Sequence, residues 1–219
     1  ILDSASVGNG VHIHLSFWGR DGTPRTHAPE AKAGLGREAG MAAGGIVRHM
    51  PEIVALTAAS AVSYVRLTPH RWSAAFANLA AQDREAGLRI CPTTARDAEG
   101  RARQFNMEYR PADATASPWL ALSAVVGAAL SGVEGGLDCP VPTEGDLDAL
   151  PEAELAAAGV RRLPGSLTAA LDLLEGAEAV RGWYPDAFVP VYIAHKRAEI
   201  AFGEGMSEGE LMRRYATVY

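Results

Sequence analysis

The stretch GNGVHIHLSF, residues 8–17, decides how the first part of this chain folds. Apolar residues at every second position alternate here with polar ones, and the polar set consists of His12, His14 and Ser16. An alternation with a period of two predicts a β-strand that has one apolar face and one polar face. Both histidines and the serine therefore project from the same face of that strand, where they can contact one ligand together.

The composition of the 219 residues predicts one large globular domain or two small ones, because 48% of the residues are hydrophobic and 21% are charged. The net charge is −6 with acidic and basic residues interleaved, so the sequence offers no basic surface for nucleic acid. The two cysteines, Cys91 and Cys139, stand far apart, which argues against a disulfide framework or zinc ribbon and favours a reducing cytoplasm. No apolar run approaches the roughly 20 residues that span a bilayer, and no signal peptide is recognisable, so we expect no membrane partner.

Three further strands are predicted downstream, at residues 75–80, 87–90 and 104–110. In the last of these, one face carries Phe105, Met107 and Tyr109, and the other carries Asn106, Glu108 and Arg110. Residues 60–73 are expected to be irregular. Loops are expected at 19–36, 92–103 and 138–151.

Helices are predicted from apolar spacing and capping residues. An Ala-rich helix is expected at residues 38–49, and a second one, opened by Pro51, through residue 58. Later helices are expected at residues 117–133, 166–175 and 186–202, followed by a last one that Ser207 and Glu210 begin with a capping box. Strands that come early and helices that come late indicate an α+β fold.

The polar strand faces carry residue types that suit phosphoryl transfer. If the strands share one sheet, its polar face holds His12, Glu108 and the arginines Arg84, Arg89 and Arg110. A histidine nitrogen beside a carboxylate suits Mg²⁺ or Mn²⁺, although Zn²⁺ would also bind, and forked guanidinium donors match phosphate oxygens. Each signal alone also fits a plainer interpretation, in which the histidines are half-exposed strand residues and the charges are simply solvated.

Two other metal-binding folds that use a His-x-His pair fit this sequence less well. A cupin requires a glutamate a few residues after the second histidine, and residues 15–18 contain none. An amidohydrolase barrel requires further histidines and a late aspartate, but the remaining histidines fall in predicted loops and helices: His27, His49, His70 and His195.

Four stretches together resemble the C-terminal catalytic region of the glutamine synthetase family. GNGVHIHLSFW is similar to the family's glycine-rich HxHxS strand, and SAVSYVRLTPHRW is similar to its N-S-Y-x-R-L segment. QDREAGLRI resembles N-R-S-A-x-I-R-I, and FNMEYRPADATASPWL resembles V-E-x-R-x-P-D-x-x-A-N-P-Y-L. The motifs occur in the family's order and, with LPGSLTAALDLLE and the final helices, cover almost the whole chain.

The resemblance implies a fold and a set of roles. The fold is an antiparallel curved sheet that forms the active-site face, with helices packed outside. His12 and Glu108 would bind the same Mg²⁺ or Mn²⁺ ion, and ATP would contact His14, Ser16 and Arg84. The substrates would be bound by the backbone of Gly8 and by Arg66, Trp72 and Arg110. The expected catalytic residues are Arg84, Arg89 and Arg110. The implied chemistry is phosphorylation of glutamate by ATP, followed by displacement of phosphate by an amine.

Two departures from the family pattern point to one branch of it. Trp72 stands where the family has a loop glutamate that closes the site and helps to deprotonate ammonium, and Val7 stands where it usually has an asparagine. These changes favour the branch that makes γ-glutamylamides from organic amines such as polyamines, ethanolamine, or alkyl and aryl amines. The alternative is an ordinary glutamine synthetase with a variant loop. GDLDALPE, where some bacterial members carry an adenylylated tyrosine, contains no tyrosine.

The resemblance also implies how the chain is organised. Residues 1–136 would form the strand-rich active-site part and residues 137–219 a helical C-terminal part. The family's N-terminal β-grasp domain and the glutamates that bind its first metal would lie outside this chain, which is expected to be the C-terminal portion of a longer enzyme. Family members form homo-oligomers of stacked rings, typically dodecamers. A non-catalytic structural or regulatory relative is a further alternative, against which the retained charged residues argue, and a phosphagen-kinase-like enzyme would lack the GNGVHIHLSF and EYRPAD pair.

Overall fold

A small sheet positions most of the polar residues singled out above. The computed structural model describes residues 6–218. The strands are β1 Ile13–Leu15, β2 Phe76–Ala77, β3 Leu79–Ala81, β4 Leu88–Ile90, β5 Met107–Tyr109 and β6 Arg161–Arg162. Four of them form one sheet in the order β1-β5-β4-β3, in which β5 is antiparallel to both neighbours and β3 is parallel to β4. The strands β2 and β6 pair antiparallel in a second sheet.

The register of the larger sheet brings three polar residues into one row. His14 on β1 lies opposite Glu108 on β5, and Arg89 on β4 lies opposite the same glutamate from the other side. Met107 and Tyr109, the neighbours of Glu108 on β5, are fully buried on the opposite face of the sheet. The period of two therefore separates a core face from a charged face, as predicted from the sequence.

The helices supply the remaining layers. They are α1 Arg37–Thr57, α2 Ser63–Arg66, α3 Ala98–Gln104, α4 Pro118–Glu134, α5 Glu152–Ala157, α6 Leu167–Gly176, α7 Glu178–Arg181, α8 Phe188–Phe202 and α9 Glu208–Tyr215, with 3₁₀ turns at Lys32–Gly34 and Leu147–Ala149. The main core joins α1 to the sheet and to α4, α6, α7 and α8. Within residues 6–218, none of these helices has the length and apolar character needed to cross a membrane.

The crossing of α1 and α4 depends on two glycines that face each other. A Cβ atom on Gly45 would lie 2.1 Å from the carbonyl oxygen of Ala128, and one on Gly132 would lie 2.1 Å from that of Met41. Real Cβ atoms do not approach other atoms this closely, so only glycine lets the two backbones touch. The close approach holds α4 against α1, whose other buried residues contact the sheet.

The predicted α+β fold is confirmed, and several predicted elements agree closely with the structure. The helices α4, α6 and α8 occupy the predicted segments, and Ser207 with Glu210 forms the predicted capping box of α9. Ser166 caps α6 by accepting a hydrogen bond from the amide of Ala169. Ser117, in contrast, precedes α4 without making a capping hydrogen bond through its side chain.

The prediction of two helices at residues 38–49 and 51–58 is wrong, because α1 continues through Pro51 as one helix. A proline inside a helix removes one hydrogen bond and costs about 3 kcal/mol. Here most of the segment is buried, with Met50, Ile53 and Val54 fully inaccessible. Each fully buried large side chain contributes about 1.5–3 kcal/mol, so several of them together outweigh the missing bond.

Other local predictions also fail for identifiable reasons. The expected loop 92–103 contains the start of α3, which Asp97 caps by accepting from the amide of Gly100. The expected strand 75–80 divides into β2 and β3 at Asn78, whose side-chain oxygen accepts from the amide of Gly87. The irregular segment 60–73 includes the single helical turn α2. The elements α5, β6 and α7 are too short to leave a periodic pattern in the sequence.

Candidate active site

Glu108 lies at the centre of the charged face of the sheet, with 2% of its side chain exposed. Its Oε1 accepts a hydrogen bond from Arg110 Nη1. The same oxygen lies 2.8 Å from Arg89 Nε, an ion pair that falls outside the hydrogen-bonding direction. Burial alone would raise the pKa of Glu108, but the two guanidiniums hold that pKa down at about 2. The carboxylate is therefore ionised at neutral pH.

His12 lies beside the same oxygen. Its Nδ1 is 3.9 Å from Glu108 Oε1 and 3.5 Å from Arg110 Nη1. Burial lowers the pKa of His12, and the neighbouring Arg110 lowers it further against the opposing effect of Glu108. A neutral imidazole is the form that binds a metal ion, so His12 is chemically suited to that role.

Five arginines line a pocket of about 370 Å³, and two of them contact Glu108. They are Arg66, Arg71, Arg84, Arg89 and Arg110, and the wall between them is completed by Val7, Gly8, Gly10, His12, Trp72 and Ser73. The Nε atoms of Arg66 and Arg110 are buried without a hydrogen-bond partner among the described residues. A concave surface with this excess of guanidinium groups is built to bind an anion with several oxygens.

Arg66 is held rigidly at the base of this pocket. Its Nη1 donates to Ser73 Oγ at 2.8 Å, and its Nη2 donates to the carbonyl oxygen of Ala112 at 3.2 Å. Nη2 also lies 3.9 Å from Asp113 Oδ2. These contacts fix the guanidinium plane before any ligand arrives, which reduces the entropy lost on binding.

The segment 69–73 forms one rim of the pocket. Trp72 is 65% exposed and has a φ of 53°, and its carbonyl oxygen accepts from Arg110 Nη2 at 3.1 Å. Glu85 holds the segment by accepting from the amide of His70 at 3.0 Å and from that of Trp72 at 3.4 Å. A large apolar ring is therefore presented to solvent at the entrance to an otherwise cationic site.

A second, acidic pocket of about 250 Å³ lies on the other side of this rim. Its wall includes His70, Asp83, Glu85 and Asp146. His70 Nε2 is 3.8 Å from Asp146 Oδ2 and 3.7 Å from Asp148 Oδ2. The rim thus separates a surface that attracts anions from a surface that attracts cations.

The other oxygen of Glu108 faces a different set of groups. Oε2 lies 3.3 Å from His14 Nε2 and 3.4 Å from Cys91 Sγ. His14 Nδ1 lies 2.8 Å from Asn106 Oδ1. Burial, together with the charge of Glu108, raises the pKa of the Cys91 thiol to about 11. Ser16 directly follows β1, and its Oγ accepts a hydrogen bond from Trp18 Nε1 at 3.0 Å.

Comparison with known proteins agrees with this geometry. The family model described as "Glutamine synthetase, catalytic domain" matches residues 3–214. This chain belongs to the glutamine synthetase family. The resemblance inferred from four sequence motifs is thereby confirmed.

Relatives of this chain within the family include two kinds of named enzyme. The chain is 36% identical over 213 residues to Gamma-glutamylpolyamine synthetase GlnA3 of Streptomyces coelicolor, covering 97% of this chain and 45% of that relative. It is also 36% identical over 196 residues to a glutamine synthetase of Aquifex aeolicus, covering 88% and 40% respectively. A crystal structure described as a novel glutamine synthase homolog superposes with a TM-score of 0.81 at 39% identity, over 96% of this chain and 45% of the other. The chain thus spans less than half the length of these relatives.

The structure brings together most residues to which the family resemblance gives roles. One pocket is lined by Gly8, His12, Arg66, Trp72, Arg84, Arg89 and Arg110, and Glu108 contacts the last two of these arginines. His14 lies on the other side of the Glu108 carboxylate, and Ser16 is not among the residues that line this pocket. The assigned functions of these residues remain predictions.

Several residues of the site were not anticipated from the sequence. Cys91 and Asn106 contact Glu108 and His14, and Glu85 holds the rim. The alternation of strand residues did place Cys91 and Asn106 on the polar face, since Cys91 follows Arg89 by two positions and Asn106 precedes Glu108 by two. The role of Glu85 left no such signal, because it depends on a contact with a separate segment.

Proposed function

We propose that this chain forms part of an ATP-dependent ligase that joins glutamate to an organic amine through γ-glutamyl phosphate. The observation that carries the ligase assignment is the pocket of five arginines, two of which contact the buried carboxylate of Glu108. Membership of the glutamine synthetase family supports the same chemistry. The proposal extends to residues 1–136 as the active-site part and residues 137–219 as the helical part of a longer catalytic domain.

The chemistry requires activation because a carboxylate is a poor acyl donor at neutral pH. Transfer of the γ-phosphoryl group of ATP to the γ-carboxylate of glutamate gives a mixed anhydride, and ADP leaves. The amine then attacks the acyl carbon, phosphate departs with the bonding electrons, and the attacking nitrogen loses a proton. Negative charge develops on oxygens in both steps, and fixed guanidinium groups stabilise it best in a preorganised pocket.

Each residue has a proposed task in this sequence of steps. Arg84 and Arg89 would contact the nucleotide phosphates and the γ-glutamyl phosphate, and Arg66 and Arg110 would hold the glutamate carboxylate or the transferred phosphate. The backbone of Gly8 would contact glutamate, and His14 and Ser16 would contact ATP. His12 and Glu108 are the residues that would hold Mg²⁺ or Mn²⁺, which supplies neutralising positive charge to the phosphates when it is bound. The neutral imidazole and ionised carboxylate described above fit such an ion.

The rim of the pocket favours an organic amine as acceptor. Trp72 replaces a glutamate of the family pattern and can neither take a proton from ammonium nor attract it by charge. Its exposed ring can pack on a carbon chain or offer a cation–π face to a substituted ammonium group. The acidic pocket on the other side of the rim can hold a second ammonium group of a polyamine. The relative named gamma-glutamylpolyamine synthetase supports the same choice.

A glutamine synthetase that uses ammonium is the second candidate. It is favoured by the relative from Aquifex aeolicus, which carries that name at the same 36% identity. A non-catalytic relative fits less well, because the site retains its buried carboxylate and the four arginines to which the family resemblance gives roles. We further propose a cytoplasmic homo-oligomer of stacked rings, as is typical of the family, with glutamate, ATP and an amine as substrates.

The test measures phosphate release by the complete protein with ATP, Mg²⁺ and glutamate. Ammonium and then a panel of amines, including putrescine, spermidine, ethanolamine and an alkyl monoamine, are supplied as acceptors. We expect release that depends on glutamate, with a higher kcat/KM for at least one organic amine than for ammonium. No release with any acceptor contradicts the ligase, and a clear preference for ammonium contradicts only the organic acceptor.

A further inference from the structure

The carboxylate of Glu108 has two oxygens with unlike surroundings. Oε1 contacts the guanidiniums of Arg89 and Arg110, as described above. Oε2 faces His14 and Cys91, and one donor atom from each of these three residues lies within 4.8 Å of the other two. Nitrogen, sulfur and oxygen donors thus converge on one point at the side of the carboxylate away from Oε1.

The two spacings from Glu108 Oε2 match a tetrahedral metal centre, and Cys91 Sγ lies 3.8 Å from Nδ1 of the His14 ring. Zinc binds histidine nitrogen at about 2.0–2.1 Å, carboxylate oxygen at about 2.0–2.2 Å and thiolate sulfur at about 2.3 Å, so neighbouring ligand atoms of a tetrahedron lie about 3.3–3.6 Å apart. The two distances from Oε2 are 3.3 Å to His14 Nε2 and 3.4 Å to Cys91 Sγ. Only small side-chain movements would be needed to place an ion between them.

Asn106 orients His14 for this role. The side-chain amide of Asn106 donates through Nδ2 to the carbonyl oxygen of Gln104 at 2.8 Å, which directs Oδ1 towards His14 Nδ1, also at 2.8 Å. An amide oxygen only accepts hydrogen bonds, so Nδ1 is the ring nitrogen that donates to Asn106 and Nε2 is the one that faces Oε2. Metal-binding histidines are commonly oriented in this way by a hydrogen bond from the second ring nitrogen.

The three donor side chains differ in their exposure to solvent. The side chain of His14 is 55% exposed, whereas Glu108 and Cys91 are buried. An ion can therefore enter past the histidine and be held from beneath by the carboxylate and the thiol. With three protein donors, a fourth position stays available for water or for an oxygen of another ligand.

We propose that His14 Nε2, Cys91 Sγ and Glu108 Oε2 form a binding site for a thiophilic divalent ion, Zn²⁺ first among them. The sulfur donor decides this choice, because thiolates select zinc over magnesium and manganese, which prefer oxygen ligands. The site is distinct from the pairing of His12 with Glu108 proposed above, although both use the same carboxylate. It does not depend on the ligase function, since it rests only on the donor geometry.

The test titrates Co²⁺, as a spectroscopic substitute for Zn²⁺, into the complete protein after removal of metals with a chelator. A thiolate bound to cobalt gives a charge-transfer absorption band in the near ultraviolet, whereas Co²⁺ bound by nitrogen and oxygen alone does not. We expect this band to saturate at one Co²⁺ per chain and to disappear when Zn²⁺, but not Mg²⁺, is added. The Zn²⁺ affinity of Cys91→Ser should be at least roughly tenfold weaker by calorimetry.

Cys139 provides the matched control. It is half-buried, lies outside the donor cluster and donates through Sγ to the carbonyl oxygen of its neighbour Pro140, so Cys139→Ser should keep the cobalt band while Cys91→Ser loses it. His14→Ala should weaken the band and the Zn²⁺ affinity in the same direction. Circular dichroism checks that each variant is folded, and Cys91→Ala replaces Cys91→Ser if the latter unfolds. A wild-type protein without the band, or a band that survives in the Cys91 variant, overturns the proposal.

Discussion

The site around Glu108 and the crossing of α1 with α4 are both buried, but the first consists of charged side chains and the second of uncharged backbone. At Glu108 the buried groups are a carboxylate and guanidiniums, and each needs the other as a counter-charge. At the crossing, Gly45 and Gly132 have no side chains at all, and backbone packs directly on backbone. Burial of charge gives little net stability, whereas close packing of neutral atoms is stabilising. The charged region therefore has groups suited to chemistry at little gain in stability, whereas the glycine contact contributes stability alone.

The largest effect is expected from Glu108→Gln, which keeps the shape of the side chain and removes its charge. The buried guanidiniums of Arg89 and Arg110 lose their counter-charge, and the proposed metal loses a ligand. We expect activity to fall roughly 10²- to 10³-fold, as when other charge-stabilising groups are removed from active sites. Phosphate release measures the loss.

Glu99→Gln is the control for this change, because Glu99 pairs with Arg103 on the exposed surface of α3. Its activity should equal that of the wild type. Near-normal activity in Glu108→Gln would remove the reason to regard the charged region as functional.

Gly45→Ala tests the other side of the comparison. The new Cβ would lie 2.1 Å from the carbonyl oxygen of Ala128 and 2.6 Å from the amide nitrogen of Gly132, so the helices must move apart. We expect the free energy of unfolding to fall by about 1–3 kcal/mol, as in other overpacked cores, with activity per folded molecule unchanged. Urea denaturation measures it. Gly176→Ala, where a Cβ meets nothing within 4 Å, should change stability little. Equal effects at both positions would contradict the close-packing argument.

Trp72→Glu tests whether the rim of the charged site selects the acceptor. A carboxylate at this exposed position attracts ammonium with on the order of 1 kcal/mol, and the lost ring no longer packs on the carbon chain of an organic amine, so the ratio of kcat/KM for ammonium to that for an organic amine should rise about five- to tenfold. Steady-state kinetics with both acceptors measure the ratio. Trp72→Phe keeps an aromatic ring and should preserve the preference of the wild type. An unchanged acceptor ratio in Trp72→Glu would show that the rim does not select the acceptor.

The smallest effect is expected at the N-terminal cap of helix α6. Ser166 accepts from the amide of Ala169 at 3.1 Å, and Ser166→Ala should lower the free energy of unfolding by about 1 kcal/mol or less. Ser117 precedes α4 in the same sequence position but makes no side-chain capping bond, so Ser117→Ala should lower it by less still. Thermal unfolding of both variants tests the difference. A larger loss of unfolding free energy in Ser117→Ala than in Ser166→Ala would contradict the role of the capping hydrogen bond.

Local patterns in the sequence were sufficient for much of the fold and part of the site. The alternation in residues 8–17 places His12 and His14 on one face, and the same reasoning places Glu108 and Arg110 together on another strand. The caps at Ser166 and at Ser207 with Glu210 were predicted correctly because each depends on residues three positions apart. The helix through Pro51 was not predicted, since the burial that stabilises it comes from distant segments.

By itself, therefore, the sequence determined which side chains share a face, because the pleat of a strand and the turn of a helix have fixed periods. Only the tertiary structure decided which faces meet. The pairing of β1 with β5 and of β5 with β4 puts Glu108 between His14 and Arg89, residues that are far apart along the chain. It also turns Oε1 of that carboxylate towards the arginines and Oε2 towards Cys91, because strand register is set by long-range hydrogen bonds and core packing.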